Sequence, residues 1–380
     1  MSSPQAYDNA NPLFLKACPY RRTRHGSPSC QLRIAADVAL RHISARCLNS
    51  HCEKQTPMIR LAVLTSGGDA PGMNAALRAV VRMARATGYE IVGIPHGFTG
   101  LMAGEYRTLS ARDVGGIIGL GGTLLGTTRC VALKTTPGLQ AAVASLKQHA
   151  INGLIVIGGN GSQAGAYALS RLGVPVIGIA STIDNDLSGT DISIGVTTAL
   201  DVAVEAIDRL RVTAASLRRA FLVEVMGNRC GYLALMAGLA SGAEAIMLPE
   251  VKFSPEALMH QLHRFYDQGR THAIVVVAEG AAHNADQIDQ FFTSHPGLAS
   301  FDTRVTKLGH IQRGGAPGVF DRILATRLGA AAIEQVTLGR WGHLVGYLNG
   351  DITTTDLKIV NTSEKRLPSD VLHLANALAC

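Results

Sequence analysis

The 380-residue chain predicts an α/β fold on mostly parallel sheets, and three observations carry that reading. Uninterrupted apolar runs recur at 61–64, 91–94, 154–157, 174–179, 221–225 and 273–277. Runs without polar alternation suit strands buried on both faces, as in a parallel sheet covered by helices. Between them lie amphipathic stretches such as 197–212, with Ala199, Ala203, Ala206 and Leu210 on one face and Asp201, Glu205, Asp208 and Arg209 on the other. Glycine is in excess, with 41 residues against an ordinary usage of ~7%, and it gathers where a strand must turn into a helix.

Composition excludes several classes. A chain 47% hydrophobic and 17% charged is neither disordered nor a coiled coil. Aromatics at 5% offer few platforms for stacking single-stranded bases. The net charge of +7 is concentrated in residues 1–57, where Lys16, Arg21, Arg22, Arg24, Arg33, Arg41, Arg46 and Lys54 face only Asp8, Asp37 and Glu53. The remainder is close to neutral, so charge gives no reason to expect nucleic acid as a partner. Beyond Cys18, Cys30, Cys47 and Cys52 only the scattered Cys130, Cys230 and Cys380 remain, which suits a reducing, cytoplasmic compartment. The charge-free stretch 150–170 carries five glycines with Asn152, Asn160, Ser162 and Gln163, a load no membrane span would bear. Residues 1–57 lack sustained periodicity apart from a short helical pattern at 32–43, and their cysteines form no CxxC pairs. They read as a disordered extension that a fold beginning at Met58 does not need, in preference to a targeting peptide or a metal site.

Doubly wound sheets bind ligands at the carboxyl ends of their strands, so the loops after the apolar runs are where chemistry is expected. Two of them, 65–74 and 158–162, are glycine-rich and lead into helices, a geometry that aims backbone N–H groups at phosphate. Neither is a GxxxxGK[ST] or a strict GxGxxG loop, and each alone reads equally as a tight turn. In Thr182-Ile183-Asp184-Asn185-Asp186 an extended backbone would set two carboxylates side by side, one to take a hydroxyl proton and one to organise Mg²⁺, while the same Asp and Asn residues read otherwise as a turn-forming loop. Gly309-His310-Ile311-Gln312-Arg313 offers two donors suited to a phosphomonoester.

These motifs carry a family resemblance. LTSGGDAPGMNAALR from Leu64, GGTLLGTTR from Gly121, IGGNGS from Ile157, TIDND from Thr182, GTDISIGVTTALD from Gly189, VEVMG from Val223, GAEAIMLPE from Gly242, VAEG from Val277 and LGHIQRGG from Leu308 stand in family order. From Met58 onward the chain resembles the bacterial-type ATP-dependent 6-phosphofructokinases.

The resemblance implies two doubly wound α/β domains with the active site in the cleft between them. Residues 58–195 plus 312–362 would form the nucleotide-binding domain, and 196–311 plus 363–380 the fructose-6-phosphate-binding domain. The implied reaction moves the γ-phosphoryl of ATP, with Mg²⁺, to the 1-hydroxyl of fructose 6-phosphate. Asp184 would be the general base, supported by Thr182 and Asp186, with Arg129 on the transferring phosphoryl group. Gly68, Arg129, Cys130, Gly159, Asn160, Gly161 and Ser162 would line the ATP site. Thr182, Ile183, Asp184, Met226, Gly227, Asn228, Glu279, His310 and Arg313 would hold the sugar phosphate, with Arg219 and Arg304 reaching into it from a neighbouring subunit of a homotetramer. Arg78, Arg82, Arg211 and Glu244 match an effector site, and Asn160 and Asp186 are the candidate metal positions.

Two departures stand out. Asn160 replaces a carboxylate associated with Mg²⁺, and Asn228 replaces an arginine, with Arg229 one place later. Gly161 and Ser181 stand where pyrophosphate-dependent relatives tend to carry Asp and Lys, which favours ATP as donor. The alternatives are a pyrophosphate-dependent enzyme, a weakly catalytic ligand-binding paralogue, and more distantly a NAD or lipid kinase with a GGDG-type loop.

Overall fold

In a computed structural model of the protein, the residues described are 58–295 and 302–378. The expectation for residues 1–57 lies outside them. The chain runs through β1 (Arg60–Ser66), α1 (Met73–Ala86), β2 (Glu90–Ile94), α2 (Gly97–Ala103), β3 (Arg107–Thr108), α3 (Thr136–Gln148), β4 (Gly153–Gly158), α4 (Asn160–Arg171) and β5 (Val176–Ala180). It continues through α5 (Val196–Leu217), β6 (Ala220–Val225), α6 (Tyr232–Ser241), β7 (Ala245–Met247), α7 (Pro255–Asp267), β8 (Ala273–Ala278), α8 (Ala285–Ser294) and β9 (Thr303–Lys307). Then follow α9 (Val319–Thr337), β10 (His343–Leu348), β11 (Asp351–Asp356), α10 (Leu357–Thr362) and α11 (Ser369–Leu378).

These strands make two sheets. The larger has the order β11-β10-β5-β4-β1-β2-β3, parallel except for β11 and β3 at its two edges. The smaller, β7-β8-β6-β9, is parallel throughout. All six apolar runs became strands, and the reason is visible in the packing. Along β1, Leu61 and Val63 enter one core while Ala62 and Leu64 enter another on the opposite face. β6 does the same, with Phe221, Val223 and Val225 on one side and Ala220 and Leu222 on the other. A strand wetted on neither face has no use for polar alternation. Four of the five strands that the sequence did not reveal, β3, β7, β9 and β11, are edge strands, short or studded with Thr, Arg, Lys and Asp. An edge is half wet, and such residues keep it from pairing with other chains.

Among the described residues the chain passes between the sheets three times: along α5, through 308–318, and through 363–368. The amphipathic stretch 197–212 lies within α5, which extends five residues further. Its first turns, Val196 and Ala199, pack in the core of the larger sheet, while Ala203, Ile207 and Ala214 pack on the smaller. The start of α5 is fixed by Asp321 of α9, a carboxylate with no solvent exposure. It accepts from the backbone N–H groups of Gly195 and Thr198, both at 2.8 Å, and from the Thr198 hydroxyl at 2.6 Å. An acidic side chain at a helix N-terminus answers both the orphan N–H groups and the helix dipole. Gly72, at φ +113°, allows the close passage of α1 here: a Cβ would lie 2.6 Å from the Ile194 side chain. No helix among the described residues is long and apolar enough to cross a membrane.

Asp321→Ala strands three donors in a dry site, at ~1–3 kcal/mol for a buried group left unpaired. We expect a loss of about 3 kcal/mol or more in urea denaturation and a smaller loss for Asp321→Asn, which keeps one acceptor. Equal stability of the alanine variant would refute the clamp.

Candidate active site

The carboxyl ends of both sheets face one another, and the loops leaving them are joined by named contacts. Arg313, just after a short 3₁₀ turn (Gly309–Gln312), donates through Nη1 to the Asp69 carbonyl at 3.0 Å in the loop after β1. Its guanidinium lies over Gly68, so close that a Cβ there would meet Nη1 at 2.3 Å. The adjacent Gln312, fully buried, accepts from the Met226 N–H at 2.9 Å in the loop after β6. Glu279, beyond β8, accepts through Oε1 from the N–H groups of Gly227 at 3.2 Å and Asn228 at 2.6 Å. The three loops of the smaller sheet are thus tied to one another and, through Arg313, to the glycine loop of the larger one.

The glycine-rich loops of the larger sheet are held as firmly. Asn74 on α1 donates to the carbonyls of Leu120 and Gly121 and accepts from Leu124 N–H, pinning the segment that leads to Arg129 and Cys130. Thr127 donates to the Gly67 carbonyl at 2.7 Å, and Thr65 binds the Gly126 carbonyl at 2.8 Å. Ser162, at the start of α4 and buried, has a hydroxyl without a partner, next to Gly67. Around Gly161 the space is open, with nothing within 4 Å of a hypothetical Cβ. A buried unpaired hydroxyl beside exposed backbone N–H groups at a helix N-terminus fits an anionic ligand.

Asp184 sits where these loops converge. Its carboxyl is largely buried and Oδ1 has no hydrogen-bond partner. Burial raises its pKa to about 6, the charges of Asp186 and Glu279 push the same way, and the guanidinium groups of Arg313 and Arg129 oppose them. Asp186 is also raised, by burial first, against a hydrogen bond from Asn160 and the charge of Lys365. The expectation of an extended segment does not hold: Asn185 between the two carboxylates is left-handed, at φ 52°. A turn, not strand alternation, keeps the carboxylates together. Asn185 takes this conformation because its side chain is spoken for, donating to the Asp191 carbonyl at 3.0 Å and accepting from Ser193 N–H at 3.2 Å.

Comparison with known proteins gives the family. The sequence profile described as "Phosphofructokinase" matches residues 60–336. The chain belongs to the phosphofructokinase family. A protein of Brevibacillus brevis named ATP-dependent 6-phosphofructokinase is 46% identical over 322 residues, covering 85% of this chain and all of that one. A namesake from Halothermothrix orenii is 44% identical over 334 residues, with the same coverage. Among solved structures, Pichia pastoris phosphofructokinase in the T-state superposes with a TM-score of 0.76 at 34% identity, over 86% of this chain. This chain spans only 37% of that longer one. A pyrophosphate-dependent phosphofructokinase from Marinobacter aquaeolei, at 22% identity and TM-score 0.74, shares the fold.

Not every residue singled out in the sequence comes to this cluster of loops. Arg219 precedes β6 and Arg304 is the second residue of β9, so both stand at the amino ends of their strands. Met226, Gly227, Glu279 and His310 stand at the carboxyl ends, roughly 20 Å away by strand length. Arg219 pairs with Asp302 at 3.6 Å and Arg304 donates to its neighbour's carbonyl. Of the effector candidates, Arg211 and Glu244 meet at 3.7 Å, Arg270 joins Glu244 at 3.8 Å, and Arg211 also binds the carbonyls of Ser241 and Gly242 at the end of α6. Arg78 and Arg82 lie on α1, away from this group in the fold. Gln312, Asn74, Asn185 and Asp321 escaped the sequence reading, since a buried polar side chain that serves a backbone leaves no spacing signal.

The raised pKa of Asp184 has a consequence for stability. An ordinary unfolded carboxylate titrates near ~3.9, so the native state binds this proton more tightly. Ionisation therefore weakens the fold as pH rises from about 4 through about 6. Asp184→Asn, neutral throughout, should melt about 2–4 °C above the parent at pH 8, with no difference at pH 4, the gain being moderated by solvent at a partly exposed group. An equal or lower melting temperature at pH 8 would contradict it.

Proposed function

We propose that this chain catalyses transfer of the γ-phosphoryl group of ATP to the 1-hydroxyl of fructose 6-phosphate, giving fructose 1,6-bisphosphate and ADP. The observation that carries this reading is the Asp184 carboxylate, partly dry, without a partner at Oδ1 and raised to about 6 where both sets of loops meet. A carboxylate so placed is a stronger base than a solvated one yet is ionised at neutral pH. It takes the proton of the attacking hydroxyl. Arg129, with the N–H of Gly68, stabilises charge on the moving phosphoryl group, and Ser162 receives a nucleotide phosphate. His310 and the remaining donors of Arg313 hold the 6-phosphate, and Glu279 keeps Oε2 for sugar hydroxyls. The open space at Gly161 supports a nucleotide over pyrophosphate, because an acidic side chain there would occupy and repel the α-phosphate.

Among the described residues no group of three or more acidic, His or Cys side chains forms a ready cation cage. That fits Mg²⁺, which takes one or two carboxylates and completes its shell with water and substrate phosphate. Asp186 would hold it with the nucleotide, and the ion would supply neutralisation of the β- and γ-phosphate charge. Asn160 is turned to structural use, its amide donating to the Asp186 carbonyl at 3.2 Å.

The two sheets would be the cores of a nucleotide-binding and a sugar-phosphate-binding domain. Arg219 and Arg304, displaced from the site of their own chain, support a homo-oligomer in which they complete a neighbour's site. Arg211, Glu244 and Arg270 would form one half of an effector site whose other half comes from Arg78 and Arg82 of another subunit.

Assaying the purified protein with fructose 6-phosphate and either MgATP or Mg-pyrophosphate tests the reading: product with ATP alone is expected, and product with pyrophosphate alone would overturn the donor. Asp184→Ser should lower kcat by about 10²–10⁴-fold while fructose 6-phosphate still binds. A rate within a few-fold of the parent would remove Asp184 as the base. Asn160→Asp should lower the Mg²⁺ concentration at half-maximal rate by restoring a charged oxygen beside Asp186. An unchanged Mg²⁺ dependence with a raised KM for ATP would mean that the new charge repels the triphosphate instead.

A further inference from the structure

Lys365 lies on the last passage between the sheets, 363–368, a segment to which no role has yet been given. Its ammonium, half-buried, donates to the Asp191 carbonyl at 2.8 Å. That carbonyl is the one that also accepts from the Asn185 amide, at 3.0 Å. Asn185, 1% exposed and left-handed, separates Asp184 from Asp186, and its side chain is what holds the turn between them. The same site continues through Ser193, which donates to the Thr182 carbonyl at 2.7 Å.

The surroundings of Lys365 come from both halves of the molecule. Asp191 is fixed to the larger sheet, its N–H donating to the Tyr347 carbonyl and its carboxylate accepting from Asn349 N–H, both at 2.7 Å. The ammonium also lies 6.0 Å from the ring centre of Tyr232, the first residue of α6, a helix that begins against the core of the larger sheet and continues onto the smaller one. One cation therefore bonds the loop that follows the two carboxylates and lies near the start of α6. A tether needed only for folding would gain nothing from the one carbonyl that orients Asn185.

We propose that Lys365 is a positioning residue for phosphoryl transfer: through the shared Asp191 carbonyl it fixes Asn185, and with it the placement of Asp184 and Asp186 against the substrates. This rests on the assignment of Asp184 as the base. A small displacement of a reacting group costs rate heavily without altering how the substrates are held. Lys365→Met, similar in shape but without charge or donors, removes the link, and Lys365→Arg keeps both.

The test compares the parent, Lys365→Met, Lys365→Arg and Asp184→Ser in the same steady-state assay at saturating Mg²⁺, with melting temperatures alongside. Expected for Lys365→Met is a kcat lowered roughly 10-fold or more, KM for ATP and for fructose 6-phosphate within about 3-fold of the parent, and a melting temperature within a few degrees of it. Lys365→Arg should recover most of the rate. The proposal is overturned by an undiminished kcat in Lys365→Met, by an arginine variant as slow as the methionine one, or by a methionine variant that does not fold. If Lys365→Met is fast while Asp184→Ser is inactive, the positioning role alone fails. An active Asp184→Ser overturns the assignment of the base itself.

Discussion

The structure turns on the capture of α5 by Asp321. An unexposed carboxylate is costly to bury, and this one is tolerated because two backbone N–H groups and a hydroxyl converge on it. Burial nonetheless raises its pKa, against the lowering effect of those three donors. The contact fixes the point at which the chain leaves the larger sheet. Because α5 then carries its apolar face onto the smaller sheet, that one contact helps set where the second set of strand ends comes to rest. Gly318 closes the arrangement from the other side, donating to the Thr198 hydroxyl at 2.9 Å at the entrance to α9. The cleft is thus defined by a hydrogen-bonded junction, with the apolar cores supplying the bulk of the stability behind it.

On the proposed function, the balance of charge in that cleft would set the basicity of Asp184. Three carboxylates, Asp184, Asp186 and Glu279, stand near one another with Arg313 and Arg129 as their counterweight. Left to burial and mutual repulsion, Asp184 would hold its proton and be useless as a base. With the arginines fully paired to it, its pKa would sink and the carboxylate would be too weak a base to help. Arg313 avoids the second outcome by spending one donor on the Asp69 carbonyl, so that it bears on Asp184 from a distance. Incoming phosphates would draw on the same guanidinium groups, which ties basicity at Asp184 to occupancy of the site.

Much of this was legible in the sequence, and the limits have physical causes. Strands buried on both faces announce themselves as unbroken apolar runs, so the sheet centres, β10 apart, were readable and the edges, made of segments such as Thr303-Arg304-Val305-Thr306-Lys307, were not. Glycine loops announce a ligand because few other residues allow the backbone so close, as at Gly68 under the Arg313 guanidinium. The pairing of Asp184 with Asp186 was expected from strand alternation, and the turn at Asn185 produces it by another route. Spacing alone cannot tell these apart. Gln312, Asn74 and Lys365 were invisible for a different reason: each serves a backbone group far away in sequence, and the distance between donor and acceptor is a property of the fold.

The three passages between the sheets share a design that explains why these polar residues matter. The first is anchored by Asp321 at the start of α5. The second carries Gln312, which binds the Met226 N–H, and Arg313, which binds the Asp69 carbonyl, so that adjacent residues address opposite sheets. The third carries Lys365, bound to the carbonyl shared with Asn185. A two-sheet enzyme must keep its halves in register to within a fraction of an ångström at the reacting atoms, and apolar packing alone is not directional enough for that. Hydrogen bonds are directional, and a bond from each connecting segment to a loop of the site converts the position of a whole sheet into the position of a few atoms. On the proposed function, the polar residues of the connections, Asp321, Gln312 and Lys365, would serve the active site without touching a substrate.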